Sequence, residues 1–101
     1  MDKYTIYLTG QFEFELERIL YYSKYSPKMT RKLYFKIKHS VMSLQIFPER
    51  FSRIYIVSKS SNNIRKMVVG KFIIIYEVDV LLKQVYILHI FYGNQNYFSQ
   101  L

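Results

Sequence analysis

Ile64-Arg65-Lys66-Met67-Val68-Val69-Gly70-Lys71-Phe72-Ile73-Ile74-Ile75-Tyr76-Glu77-Val78-Asp79 is the stretch on which the fold turns. Two β-branched and aromatic runs, Ile64 to Val69 and Lys71 to Asp79, flank a single glycine, and a connection that short joins antiparallel neighbours. From Phe72 to Tyr76 every residue is apolar or aromatic, whereas a strand wet on one side alternates. Both faces of this strand call for cover.

Downstream, Val85 to Tyr92 has the same two-sided character and follows the Leu81-Leu82-Lys83 connection. Upstream, Arg53 to Ser58 is a further run, set apart by Asn62-Asn63. Before Pro48 the period becomes helical: Leu33, Ile37, Val41 and Leu44 recur at steps of four, four and three, with Lys32, Lys36, Lys38 and Ser43 largely opposite. Ser26-Pro27 starts this helix, Ser as an acceptor for the first turn and Pro with a preset φ. Phe12, Leu16, Ile19 and Leu20 mark an earlier helix through about Tyr22, capped by Thr9. Tyr4 to Leu8 reads as a first short strand. The order is β-α-α-β-β-β. It predicts an α+β fold, a helical hairpin packed on one face of a small antiparallel sheet, with residues 1–101 a single domain ending in the Asn-rich segment Asn94 to Leu101. Two helices cover one face. Either the other face meets another chain or exposes a large apolar patch, or the sheet curls and the tail closes it.

Composition narrows the function classes. The 101 residues include 15 Lys plus Arg against 7 Asp plus Glu, a formal charge of +8. Such a surface attracts phosphate, anionic lipid or an acidic protein. With no cysteine, the chain has no disulfide framework, zinc finger or thiol nucleophile. No His or carboxylate pair has metal-ligand spacing, so neither metal nor cofactor is expected. The N-terminus lacks a signal-peptide pattern, and the longest apolar run, Phe72 to Tyr76, is far below the roughly 20 residues of a membrane span. A cytoplasmic protein with no membrane association is expected. Of the 15 cations, 13 lie between Arg18 and Tyr76, a stretch whose only acid is Glu49. Arg31, Lys32, Lys36 and Lys38 on the second helix, and Arg50, Arg53, Lys59, Arg65, Lys66 and Lys71 near the turns, form one or two positive fields, or simply a solvated face.

In order and spacing, several segments resemble the RelE/ParE superfamily of toxins from bacterial type II toxin–antitoxin pairs, closest to its ParE-like branch. Glu15-Leu16, Ile19 and Tyr22 resemble its opening helix. Ile37, Val41 and Leu44, followed by the Phe47-Pro48-Glu49-Arg50-Phe51 corner, resemble its second. Ile64-Arg65-Lys66-Met67-Val68-Val69-Gly70-Lys71-Phe72, running into Tyr76-Glu77-Val78-Asp79, is similar to its strand with a fixed Arg. Ile87 to Gly93 is similar to its last strand. The likeness spans about Tyr4 to Tyr97.

The resemblance implies a growth-arresting toxin neutralised by a cognate antitoxin, with which it forms a hetero-oligomer. DNA gyrase is the favoured target, and a ribosome-dependent mRNA endonuclease is the alternative; a non-toxic binding module that keeps the fold is a third. The departures favour gyrase. Ile73 stands where RNA-cleaving members carry Arg, Tyr92 where many carry His, and Asn94-Gln95-Asn96 where basic residues and an Asp are usual. If the chain is a nuclease, Arg65, Lys71, Tyr92 and Tyr97 are its candidates. Arg50, Arg53, Arg65, Lys66, Lys71 and Tyr92 are the candidates for contact with a target or nucleic acid. His39 and His89 read as structural residues, and Glu77 and Asp79 as a solvated strand end.

Overall fold

The computed structural model describes residues 3–22, 24–55 and 62–93. Its elements follow the periods of the sequence: β1 (Thr5–Leu8), α1 (Gly10–Tyr21), α2 (Pro27–Met42), β2 (Arg53–Ile54), β3 (Ile64–Val69), β4 (Phe72–Asp79) and β5 (Gln84–Tyr92). Thr9 Oγ1 accepts from the Phe12 amide at 3.2 Å and Ser26 Oγ from the Met29 amide at 3.3 Å, satisfying a free donor in each first turn. Rather than running on toward Pro48, α2 ends at Met42 and tightens into 3₁₀ turns at Ser43–Gln45 and Pro48–Arg50.

The sheet has the order β1-β5-β4-β3-β2. Gly70, at φ 59°, turns β3 into β4, a left-handed conformation that costs glycine little. All pairings are antiparallel except β1 with β5, which is parallel, so the sheet is mixed. Two whole helices separate β1 from the later strands, and a connection of that length permits parallel pairing. The run from Arg53 pairs only as a two-residue edge strand, adding a fifth strand; its continuation at 56–61 lies outside the described residues, as does the Asn-rich tail.

In β5 the register slips. Ile75 faces His89 and Tyr76 faces Ile87, which leaves Leu88 as a bulge. The slip reverses alternation, so Val85 and Ile87 before it and Ile90 after it all join the helix-side core. The two-sided apolar look of this strand is therefore partly a bulge.

On the helix side Phe12, Ile37, Val41 and Leu44 bury against Met67, Ile74, Tyr76 and Ile87. On the opposite side Ile54, Ile64, Ile73, Ile75 and Phe91 form a second cluster with Leu88 packed on it. Of the alternatives for the far face, closure within the chain is the one realised at its centre. Ile75 and Ile64 are 0% and 1% exposed, so the centre of that face is closed within the chain, as burial of so much apolar surface favours. Past the end of β1, α1 meets the edge of β5. Thr9 donates to the Ile87 carbonyl through its amide at 3.2 Å and its hydroxyl at 2.7 Å. Glu15 accepts from the Ile90 amide at 3.1 Å.

Candidate functional site

The Phe47–Phe51 corner begins at Phe47, a non-glycine residue at φ 48°, and strain of that kind persists only where the surroundings fix it. Three side chains do so. Arg50 Nη1 donates to the carbonyls of Ile46 at 2.5 Å, Phe47 at 3.1 Å and Ser43 at 3.2 Å, and Nη2 to Ser43 Oγ at 2.8 Å. Its guanidinium also lies over the Phe51 ring. Arg65 reaches across from β3: Nη1 donates to the Glu49 carbonyl at 2.8 Å and the Phe51 carbonyl at 2.7 Å, Nε to Asn63 Oδ1 at 3.0 Å, and Nη2 pairs with the Glu49 carboxylate at 3.4 Å. Tyr76, fully buried on β4, donates to the Pro48 carbonyl at 2.6 Å. Burial pushes its phenol up to about 12, against the opposing pull of Arg65 and Arg50 and with a further push from Glu49.

This network gives two of the sequence's candidates for target contact a different role. Arg65 and Arg50 point at the protein's own carbonyls, and the forked guanidinium suits the task because it satisfies several acceptors at once. Arg53 lies over the Tyr55 ring and donates to the Asn62 carbonyl at 3.2 Å. Lys66 is half-buried on β3. Lys71 and Tyr92 do come together: the Gly93 amide donates to the Lys71 carbonyl at 2.8 Å, Tyr92 tilts on Phe72 at 4.8 Å, and both line a cleft of about 500 Å³ with Val68, Phe72 and Ile73. Arg65 pairs with Tyr76, four residues along β4 from Phe72, roughly 13 Å at strand rise. Tyr97 and Lys59 lie outside the described residues. Arg65 and the Lys71–Tyr92 pair thus sit at different ends of β3 and β4. Arg65 stood out through its place in a cationic stretch and its likeness to a strand with a fixed Arg, and neither reveals where a guanidinium points.

Neither histidine joins that cleft. His39 is exposed on α2, whereas His89 Nδ1 lies 3.2 Å from both oxygens of Glu15 and stacks on Phe91. Glu15 thereby ties α1 to β5 through a backbone amide and a side chain together. Sequence reading gave it no such part, since its partners are 74 and 75 residues away. Among the described residues no group of three His, Cys, Asp or Glu could hold a metal, and no helix is long and apolar enough to cross a membrane.

Two further surfaces stand out. A groove of about 220 Å³ between β1, α1 and α2 is lined by Ile6, Leu8, Phe12, Leu16, Ile37 and Val41, with Tyr34, Lys38 and Met42 at its rim. Along α2, Lys28, Arg31, Lys32, Lys36 and Lys38 are all exposed, the helix contains no acid, and none of the five is in an ion pair among the described residues.

Comparison with known proteins agrees with this architecture. A family model described as the ParE toxin of the type II toxin–antitoxin system parDE matches residues 6–97. The chromosomal ParDE system of P. aeruginosa contains a similar structure, with TM-score 0.71 and 20% identity over 89% of this chain and 96% of that one. The archaeal RelE–RelB complex of Pyrococcus horikoshii gives TM-score 0.64 and 15% identity over 92% and 98%. The RelBE2 toxin–antitoxin complex of Mycobacterium tuberculosis gives 0.61 and 16% over 91% and 93%. Among curated proteins a sequence search finds no match.

Proposed function

The chain belongs to the ParE toxin family of type II toxin–antitoxin systems, and from that premise we propose that it arrests bacterial growth by acting on DNA gyrase and is held inactive by a cognate antitoxin. The observation that carries the choice of target is the engagement of Arg65. RNA cleavage needs a cation at the phosphate where charge accumulates and a base near the 2′-OH. Arg65 is tied to Glu49, Phe51 and Asn63, His89 to Glu15, and Ile73 is buried in the sheet. These placements favour a toxin that works by docking on a large partner. Lys71 and Tyr92, both exposed at that end of the sheet, are the contact residues of this reading. The apolar groove between β1, α1 and α2 fits the apolar face of an amphipathic helix, the form in which a partner segment would cover it.

The deciding experiment gives the purified chain to gyrase in a supercoiling assay and to a cell-free translation extract. Loss of supercoiling with mRNA intact, reversed by the antitoxin, is the expected result. Prompt cleavage of mRNA on ribosomes with gyrase unaffected would establish the nuclease reading instead. Normal growth on induction of the chain alone would establish the non-toxic module.

A further inference from the structure

We infer that the outer face of α2 is a docking surface for the phosphate backbone of duplex DNA. Lys28, Lys32 and Lys36 follow one another at four-residue steps and so form a single ridge, successive lysines about 6 Å apart along the helix axis. Arg31 and Lys38 flank it. Holding like charges at this spacing opposes helix formation, and no acid within α2 relieves it. Of the carboxylates that flank α2 along the chain, Glu49 is engaged with Arg65 and Glu15 with His89, while Glu13 and Glu17 are exposed on α1, outside this helix. At its C-terminal end the ridge leans on the hairpin turn: the Lys36 ammonium lies 3.2 Å from where a Cβ on Gly70 would be. Lys36 thereby joins its field to that of Lys71.

Shape selects among anionic partners. The apolar side of α2, Ile37 and Val41 with Leu33, is buried in the core, and the apolar residues the helix still exposes, Met29, Tyr34, Phe35 and Met42, are spread among its cations rather than gathered into one face that could sink into a lipid surface. What it presents is convex and cationic, without the groove that holds an extended acidic peptide. A convex helix fits the wide major groove of B-form DNA and the phosphates on its rims. The deep, narrow major groove of duplex RNA excludes it.

The test is fluorescence anisotropy of the full chain with a 20-base-pair DNA duplex of arbitrary sequence, titrated between 50 and 200 mM NaCl. With four or five phosphates neutralised, affinity falls by about a hundredfold or more over that range. The Lys28→Gln, Lys32→Gln, Lys36→Gln triple variant, its fold checked by circular dichroism, lowers the log–log salt slope by about 2.7. A Lys3→Gln, Lys83→Gln variant at the other end of the molecule leaves the slope within about one unit of the parent. The inference is overturned if the duplex fails to bind at 50 mM NaCl or if the control variant loses as much slope per lysine as the ridge variant. It is equally overturned if duplex RNA or phosphatidylglycerol vesicles bind as tightly as DNA. Gyrase is absent from this assay, so the result stands or falls apart from the choice of target above.

Discussion

Two cationic regions of this small protein use the same charge in opposite ways. Around the Phe47–Phe51 corner, Arg50 and Arg65 turn inward and hold the chain's own carbonyls. Along α2, five cations face outward with no acid in the helix. In a linear sequence the two look alike, each a run of Lys and Arg between apolar positions. What separates them is the state of the surrounding backbone and, for all of the α2 cations but Arg31, residue type. A guanidinium offers five donors in a rigid fork, which suits a bend where several carbonyls lose their helical partners. An ammonium on a flexible stem remains hydrated and mobile on a helix whose carbonyls are already satisfied. The net charge of +8 therefore says how much charge the chain carries and not which cations a partner can contact.

The largest effect expected from this contrast is at Arg65. Arg65→Ala takes the donor from the Glu49 and Phe51 carbonyls and from Asn63 Oδ1, leaving the Glu49 carboxylate only the Asn63 amide at 2.9 Å, and should cost about 3 kcal/mol. Urea unfolding checks it through the midpoint, with the slope unchanged. Loss of toxicity in that variant would thus report unfolding rather than a missing contact with the target. Next is Tyr76→Phe, which removes the hydroxyl from the buried Pro48 carbonyl and should cost about 1 to 2 kcal/mol. That variant also has a pH signature. The folded phenol ionises near 12 and the free one near 10.0, so between those values the folded chain holds the proton that the unfolded chain releases. The stabilisation is complete below pH 10 and is lost as pH rises toward 12, so the parent loses more stability than Tyr76→Phe over that interval. The smallest effect is on α2. Lys32→Glu places an acid four residues from both Lys28 and Lys36 and should stabilise the chain by about 0.5 kcal/mol at low salt, read as a small rise in the thermal midpoint. A clear loss there would mean that the α2 lysines have structural partners after all.

Much of the fold was legible because local chemistry sets it. Thr9 and Ser26 cap the helices they precede, Gly70 makes the hairpin turn, and the helical spacing of Ile37, Val41 and Leu44 puts all three in the core. What stayed hidden depends on residues far apart. The parallel pairing of β1 with β5 joins positions about 79 residues apart, as Thr5 with Gln84, and the bulge at Leu88 shows only once β4 and β5 are in register. Apolar runs on both faces of β4 announced that both sides need cover. They left open whether the far side is covered by another chain or within this one; its centre is closed within the chain, where Ile54 from the other side of the corner joins Ile75. At the candidate site, sequence located the cations and missed their direction: Lys71 and Tyr92 do meet at one end of the sheet, while Arg65 and Arg50 serve the corner. Glu15 reads in the sequence only as a helix residue, because its partner amide at Ile90 belongs to the last strand.

The division between inward and outward cations can be measured within a single residue type. Native protein treated with an arginine-selective dicarbonyl reagent and read by mass spectrometry should be modified at Arg31 on α2, with Arg65 protected until denaturant is added. Comparable reaction of Arg65 and Arg31 in the folded chain would contradict the account.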